Sequence, residues 1–125
     1  WLIDDTYNAN PSSVRAGLLV LGDLPGRRWF VLGDMAELGS FAEASHREIG
    51  EFARSVGVER LYAFGALAAL AADAFGAGAQ RFESAAELTR ALDGQLTADV
   101  RVLVKGSRSN RLERVVDALV APVPA

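Results

Sequence analysis

Five short runs of strand character, each separated from the next by a stretch of helical period, constrain this chain more than any other feature. The runs are Leu2-Ile3, Trp29-Phe30-Val31-Leu32, Leu61-Tyr62-Ala63-Phe64, Gln80-Arg81-Phe82 and Val100 to Val104. Between them the apolar residues recur at helical spacing. Pro11 suits the first position of a helix behind Asn10 as N-cap, with Val14, Leu18, Leu19 and Leu21 as its stripe and Leu24-Pro25-Gly26 as its stop. A second helix spans Phe41 to Val56, with Phe41, Ile49, Phe52, Ala53 and Val56 on one face, and a third spans Ala66 to Phe75. Ser84 opens a fourth that carries Leu88 and Leu92, with Glu87 completing a capping box. Leu112, Val115, Val116 and Leu119 mark a last helix. Strands that alternate with helices run parallel and are covered on both faces, so the expected fold is α/β, a Rossmann-like three-layer sandwich with a mostly parallel sheet. A chain of 125 residues holds one core and not two, giving a single domain over residues 1–121 and a tail over 122–125.

Composition removes several classes of chemistry. There is no cysteine, which excludes disulfides and thiolate sites, and His46 is the only histidine, which excludes a metal site built on several imidazoles. A net charge of -3 argues against a nucleic-acid surface, which needs a clustered cationic excess. No apolar run approaches the roughly 20 residues that span a bilayer. The chain opens with Trp1 directly on a strand, which reads as a piece of a longer polypeptide. Neither the phosphate-wrapping Gly-x-x-x-x-Gly-Lys-[Ser/Thr] loop nor a Gly-x-Gly-x-x-Gly turn occurs, so nucleotide chemistry would need a phosphate cradle from elsewhere.

Ligands of open parallel sheets bind outside the carboxyl ends of the strands. Three strands end there in polar or glycine-rich sequence: Asp4-Asp5-Thr6-Tyr7-Asn8-Ala9-Asn10-Pro11, Gly33-Asp34-Met35-Ala36-Glu37-Leu38-Gly39, and Lys105-Gly106-Ser107-Arg108. Asp4 and Asp5 can accept from ribose hydroxyls or hold Mg²⁺ through water, although one acid capping a turn explains them as well. Asn8 and Asn10 stand before a helix N-terminus, where anions are favoured, and Tyr7 offers a flat ring; N-capping by Asn10 is compatible with a ligand contact. Gly33 and Gly39 give the second loop backbone freedom, and Asp34 and Glu37 within it can bind an ammonium group or serve a solvated turn. His46, near the edge of its helix's apolar stripe, reads as structural rather than catalytic. Twelve of the thirteen basic residues are arginine, yet the residue that ends the fifth strand is Lys105. A compact ammonium there differs in kind from a guanidinium fork, and with Arg108, Gly106 and Ser107 it can grip a carboxylate or phosphate.

The three segments, in this order, resemble the C-terminal domain of the Mur ligases, and most of all the branch that adds D-alanyl-D-alanine to UDP-N-acetylmuramoyl-tripeptide. The likeness rests on Asp4 to Pro11, on Val31 to Gly39 with His46 and Gly50, and on Val104 to Arg108 with Leu112-Glu113. It implies an ATP-dependent, cytoplasmic peptide ligase of peptidoglycan synthesis in three domains. The N-terminal domain holds the uridine nucleotide, and the central one holds ATP and Mg²⁺. The C-terminal domain closes over the cleft and is inactive alone. By motif, Asp5, Tyr7, Asn8 and Asn10 lie toward ATP. Asp34, Met35, Glu37, Lys105, Gly106, Ser107 and Arg108 face the incoming dipeptide, with Lys105 and Asp34 nearest the chemistry and no metal held by the domain itself.

Two rivals stand beside that reading. A phospho-acceptor receiver domain also carries an acidic pair after the first strand and a lysine after the fifth. It needs an aspartate closing the third, where this chain has Phe64-Gly65-Ala66. A folylpolyglutamate synthase-like ligase domain shares the architecture, and the Tyr7-Asn8-Ala9-Asn10-Pro11 segment points away from it.

Overall fold

The computed structural model describes the backbone of residues 2–5 and, in full, residues 10–106. Five strands, β1 (Leu2–Asp5), β2 (Arg27–Gly33), β3 (Arg60–Phe64), β4 (Ala79–Phe82) and β5 (Val100–Lys105), form one sheet in the order β1-β5-β2-β3-β4. Every pairing is parallel. Helices α1 (Pro11–Gly22), α2 (Ala42–Ser55), α3 (Ala68–Phe75) and α4 (Ala85–Asp93) connect them in turn. The final helix and tail expected from the sequence lie outside the described residues.

The strand order decides which face each helix covers. Parallel crossovers are right-handed, so connections stepping one way across the sheet share a face and a connection stepping back takes the other. From β1 to β4 the chain steps steadily toward one edge, and α1, α2 and α3 share a core with Phe30, Leu32, Leu61, Ala63 and Leu103. The return from β4 to β5 carries α4 to the opposite face, where Leu88 and Leu92 pack with Trp29, Val31, Tyr62, Val100, Val102 and Val104. Alternate residues of the central strands thus serve alternate faces, and both faces are apolar, as a sheet buried on two sides requires. The indole nitrogen of buried Trp29 has no hydrogen-bond partner, while Arg60 lies over its ring at 4.8 Å. The order also separates this fold from receivers, which follow 2-1-3-4-5.

Local expectations needed correction at three places. Phe41 is 73% exposed and belongs to a 3-10 turn, Gly39–Phe41, ahead of α2, so it is no part of that helix's apolar stripe. Leu19 is 55% exposed; helical geometry turns it outward between the buried Leu18 and Leu21. The capping box forms in α1, where Asn10 Oδ1 accepts from the Ser13 N–H at 2.9 Å and Ser13 Oγ from the Asn10 N–H at 3.1 Å. In α4 only the Ser84 half of the expected box forms, accepting from the Glu87 N–H at 3.1 Å.

Candidate functional site

The sheet register brings the three sequence segments to one edge. Asp5 pairs with Lys105 across β1 and β5, and Lys105 pairs with Leu32 across β5 and β2, one residue before Gly33 and two before Asp34. Neighbouring strands lie about 4.8 Å apart, so the backbones of these three strand ends fall within roughly 10 Å. Acids and the lone ammonium, far apart along the chain, therefore share the carboxyl rim. Tyr7, Asn8, Ser107 and Arg108, and the side chains of Asp4 and Asp5, lie outside what the structure describes.

The β2 loop is the best-defined part of this rim. Asp34 Oδ1 accepts the Ala68 N–H at 2.7 Å, so the carboxylate caps the start of α3 from another loop. A carboxylate suits that place because the first N–H groups of a helix have no partner within it. Gly65 makes the approach possible: its φ is +117°, and a Cβ there would stand 2.4 Å from Asp34 Oδ1. Met35 is buried, and its N–H donates to His46 Nε2 at 2.9 Å. His46 Nδ1 lies 2.6 Å from the Ala42 carbonyl, so Nδ1 carries the proton and Nε2 accepts. The lone histidine is fully buried within these two contacts, in keeping with the structural reading of it.

Beyond that anchor the loop turns outward. Glu37 is exposed and holds φ at +61°, the only described non-glycine residue in the left-handed region. Such a conformation costs an ordinary residue roughly 1–2 kcal/mol. Gly39 also takes a positive φ, +58°, as its type suggested, whereas Gly33 remains in β2; the freedom expected there is needed at Glu37 instead.

Lys105 differs from what a surface cation would show. It is 2% exposed, with its stem on the α1 face of β5 beside Gly17, where a Cβ would come within 3.1 Å of Lys105 Cε. That residue of α1 is small where the lysine passes. Gly106 is buried too. Asn10, at the other side of the rim, uses its side-chain oxygen as the α1 cap, so any ligand contact it makes is additional to that task.

Sequence reasoning missed Gly65, Ala68 and Gly17. Gly65 is visible in the sequence as the glycine of Phe64-Gly65-Ala66, where the third strand ends without an acid of its own. The acid beside that strand end comes from the neighbouring loop. A cavity of 370 Å³ adjoins it, lined by Gly65, Ala66, Ala69, Arg81, Phe82 and Glu83, with Arg81 ion-paired to Asp73 at 3.0 Å. Among the described residues no group of three or more His, Asp or Glu is placed to hold a metal ion. No helix among them is long and apolar enough to cross a membrane.

Comparison with known proteins adds independent findings. Residues 1–108 match the family model described as Mur ligase, glutamate ligase domain. The UDP-N-acetylmuramoyl-tripeptide--D-alanyl-D-alanine ligase of Escherichia coli is 42% identical over 121 residues, covering 94% of this chain and 26% of that protein. The ligase of the same name from Mycobacterium tuberculosis is 39% identical over 145 residues, covering 96% and 28%. Among solved structures, the MurF ligase of Thermotoga maritima in complex with ADP superposes with a TM-score of 0.83 at 27% identity, covering 94% of this chain and 27% of that one. A MurF structure from Acinetobacter baumannii gives 0.82 at 31%, with the same coverage. The chain thus spans about a quarter of the length of the relatives it matches.

Proposed function

This chain belongs to the Mur ligase family, as its glutamate ligase domain, and from that premise we propose that it is the C-terminal domain of an ATP-dependent enzyme joining D-alanyl-D-alanine to UDP-N-acetylmuramoyl-tripeptide in peptidoglycan precursor synthesis. The observation that carries the reading is the convergence of Asp5, Asp34 and Lys105 at adjacent strand ends. A zwitterionic dipeptide needs a cation for its carboxylate and acceptors for its ammonium, and this rim holds both kinds. The names of the bacterial relatives support the substrates, and the ADP complex of the Thermotoga maritima protein supports the nucleotide.

In this reading ATP activates the tripeptide's terminal carboxylate as an acyl phosphate. The dipeptide amine attacks that carbonyl, and the tetrahedral anion collapses to the amide with loss of phosphate. This chain's part is to hold the amine in line and to place positive charge near the developing oxyanion. Lys105, with Ser107 and Arg108, takes the anionic groups; Glu37 and Asp34 face the ammonium, and Asp5, Tyr7, Asn8 and Asn10 turn toward ATP. Mg²⁺ would accompany ATP, and the reading assigns it to the rest of the enzyme. The N-terminal and central domains are accordingly its partners, in the cytoplasm where the nucleotide precursor is made. Closure of this domain would expel water from an easily hydrolysed acyl phosphate.

The test is an assay of the full-length protein with ATP, the UDP-tripeptide and D-alanyl-D-alanine. ADP, phosphate and the pentapeptide product should appear together, and the isolated 125-residue chain should yield none of them. Turnover by the isolated chain would overturn the shared-site reading, and full-length protein that ligates only a different amine would overturn the substrate.

A further inference from the structure

His46 and Gly50 lie four residues apart and therefore on one face of α2. Both are buried, and that face meets the β2 loop and α3. Each sets one of the two anchors of the β2 loop. His46 Nε2 takes the Met35 N–H directly. Gly50 acts through α3: a Cβ there would stand 2.1 Å from the Ala71 carbonyl oxygen, so only glycine lets α3 sit this close. That approach carries the Ala68 N–H to Asp34 at 2.7 Å. The backbone from Asp34 to Met35 is thus held from two helices, and the left-handed Glu37 projects from a fixed base.

We propose that His46 is a positioning residue of the ligation reaction: through its acceptor nitrogen it fixes the Asp34–Glu37 loop in the geometry that receives the incoming amine. This rests on the functional reading above. A filler of the same volume would satisfy packing but not this role. The Met35 amide is buried with its residue and needs an acceptor there, and the ring supplies one only in the tautomer that its bond to the Ala42 carbonyl selects. His46 need not touch substrate. A loop displaced by about 1 Å can cost roughly 100-fold in rate.

The experiment compares His46→Leu, His46→Gln and a Leu92→Ala control in the full-length enzyme. Leu92 is a buried residue of α4, packed on the opposite face of the sheet, so its truncation destabilises the domain without touching the loop. His46→Leu should raise KM for the dipeptide and lower kcat, together by about 100-fold, while KM for ATP stays within about twofold. Glutamine, which has a carbonyl acceptor and an amide donor, should restore most of the loss. The control should keep kcat/KM near wild type at a comparable loss of Tm. Equal losses in His46→Leu and the control, or no rescue by glutamine, would overturn the proposal. Hydrogen exchange at the Met35 amide separates this from failure of the parent reading. If the wild type does not ligate the dipeptide, the parent reading falls. Faster Met35 exchange in His46→Leu then still upholds the loop anchor, and unchanged exchange removes it.

Discussion

The two ends of this sheet use charged residues for opposite purposes. At the amino end of the strands, arginines close backbone carbonyls. Arg28 donates to the Gly22 carbonyl at 2.9 Å and to Gly57 at 3.3 Å, and Arg54 donates to the carbonyls of Phe75 and Ala77. These carbonyls stand at the ends of α1, α2 and α3, where the last turn of a helix lacks donors and carries partial negative charge. A planar fork reaches two or three of them at once, which explains the preference for arginine there. At the carboxyl end Asp5, Asp34, Glu37 and Lys105 lie on strand ends and in a loop anchored by His46. The strain in the described backbone is there too, at Glu37. The proposed site thus lies at the strained end and the arginine contacts at the other, a separation that Asp34 crosses, since it also caps α3.

Substitution tests that separation, and Lys105→Met should give the largest effect. It keeps the stem beside Gly17 and removes the charge, so kcat/KM of the full-length enzyme should fall by about 10²–10³-fold, the range for loss of one oxyanion-stabilising group. Retained activity would break the contrast between the ends. Lys105→Arg should not rescue, since a guanidinium needs more room than α1 leaves.

Arg28→Ala should do the converse. Losing charge-assisted bonds to helix-end carbonyls should cost about 2 kcal/mol in urea unfolding and leave kcat within about twofold. A drop in kcat without a drop in stability would mean that the amino end reaches the reaction after all.

Glu37→Gly should give the smallest effect and the most informative sign. Relief of the left-handed backbone should stabilise the protein by about 1 kcal/mol, while KM for the dipeptide rises and KM for ATP does not. Stabilisation with unchanged KM would leave the strain without a purpose. It would also remove Glu37 from the amine site.

Much of this was legible in the chain itself. Short apolar runs and helical periodicity located all five strands and the four described helices, since burial on one stripe or on two faces is written into residue order. Pro11 and Ser84 marked helix starts because the caps are local bonds. The convergence of the polar strand ends was legible too, because parallel strands present their carboxyl ends on one side, and one lysine stood out among arginines. Phe41 was misplaced because a large apolar residue at a helix border fits either side of it, and only the 3-10 turn before α2 decides.

What the sequence determined by itself was the set of elements and the groups each strand end would offer. Tertiary structure decided the strand order that seats β5 between β1 and β2 and so brings Lys105 beside Asp5. It also decided that Asp34 caps α3, that His46 holds Met35, and that Glu37 rather than Gly33 takes the strained angle. The reason is the reach of the interactions. Periodicity and capping act over a few residues and leave their mark in order, whereas these pairings join residues from 11 to more than 60 positions apart, and only the folded sheet brings them within bonding distance.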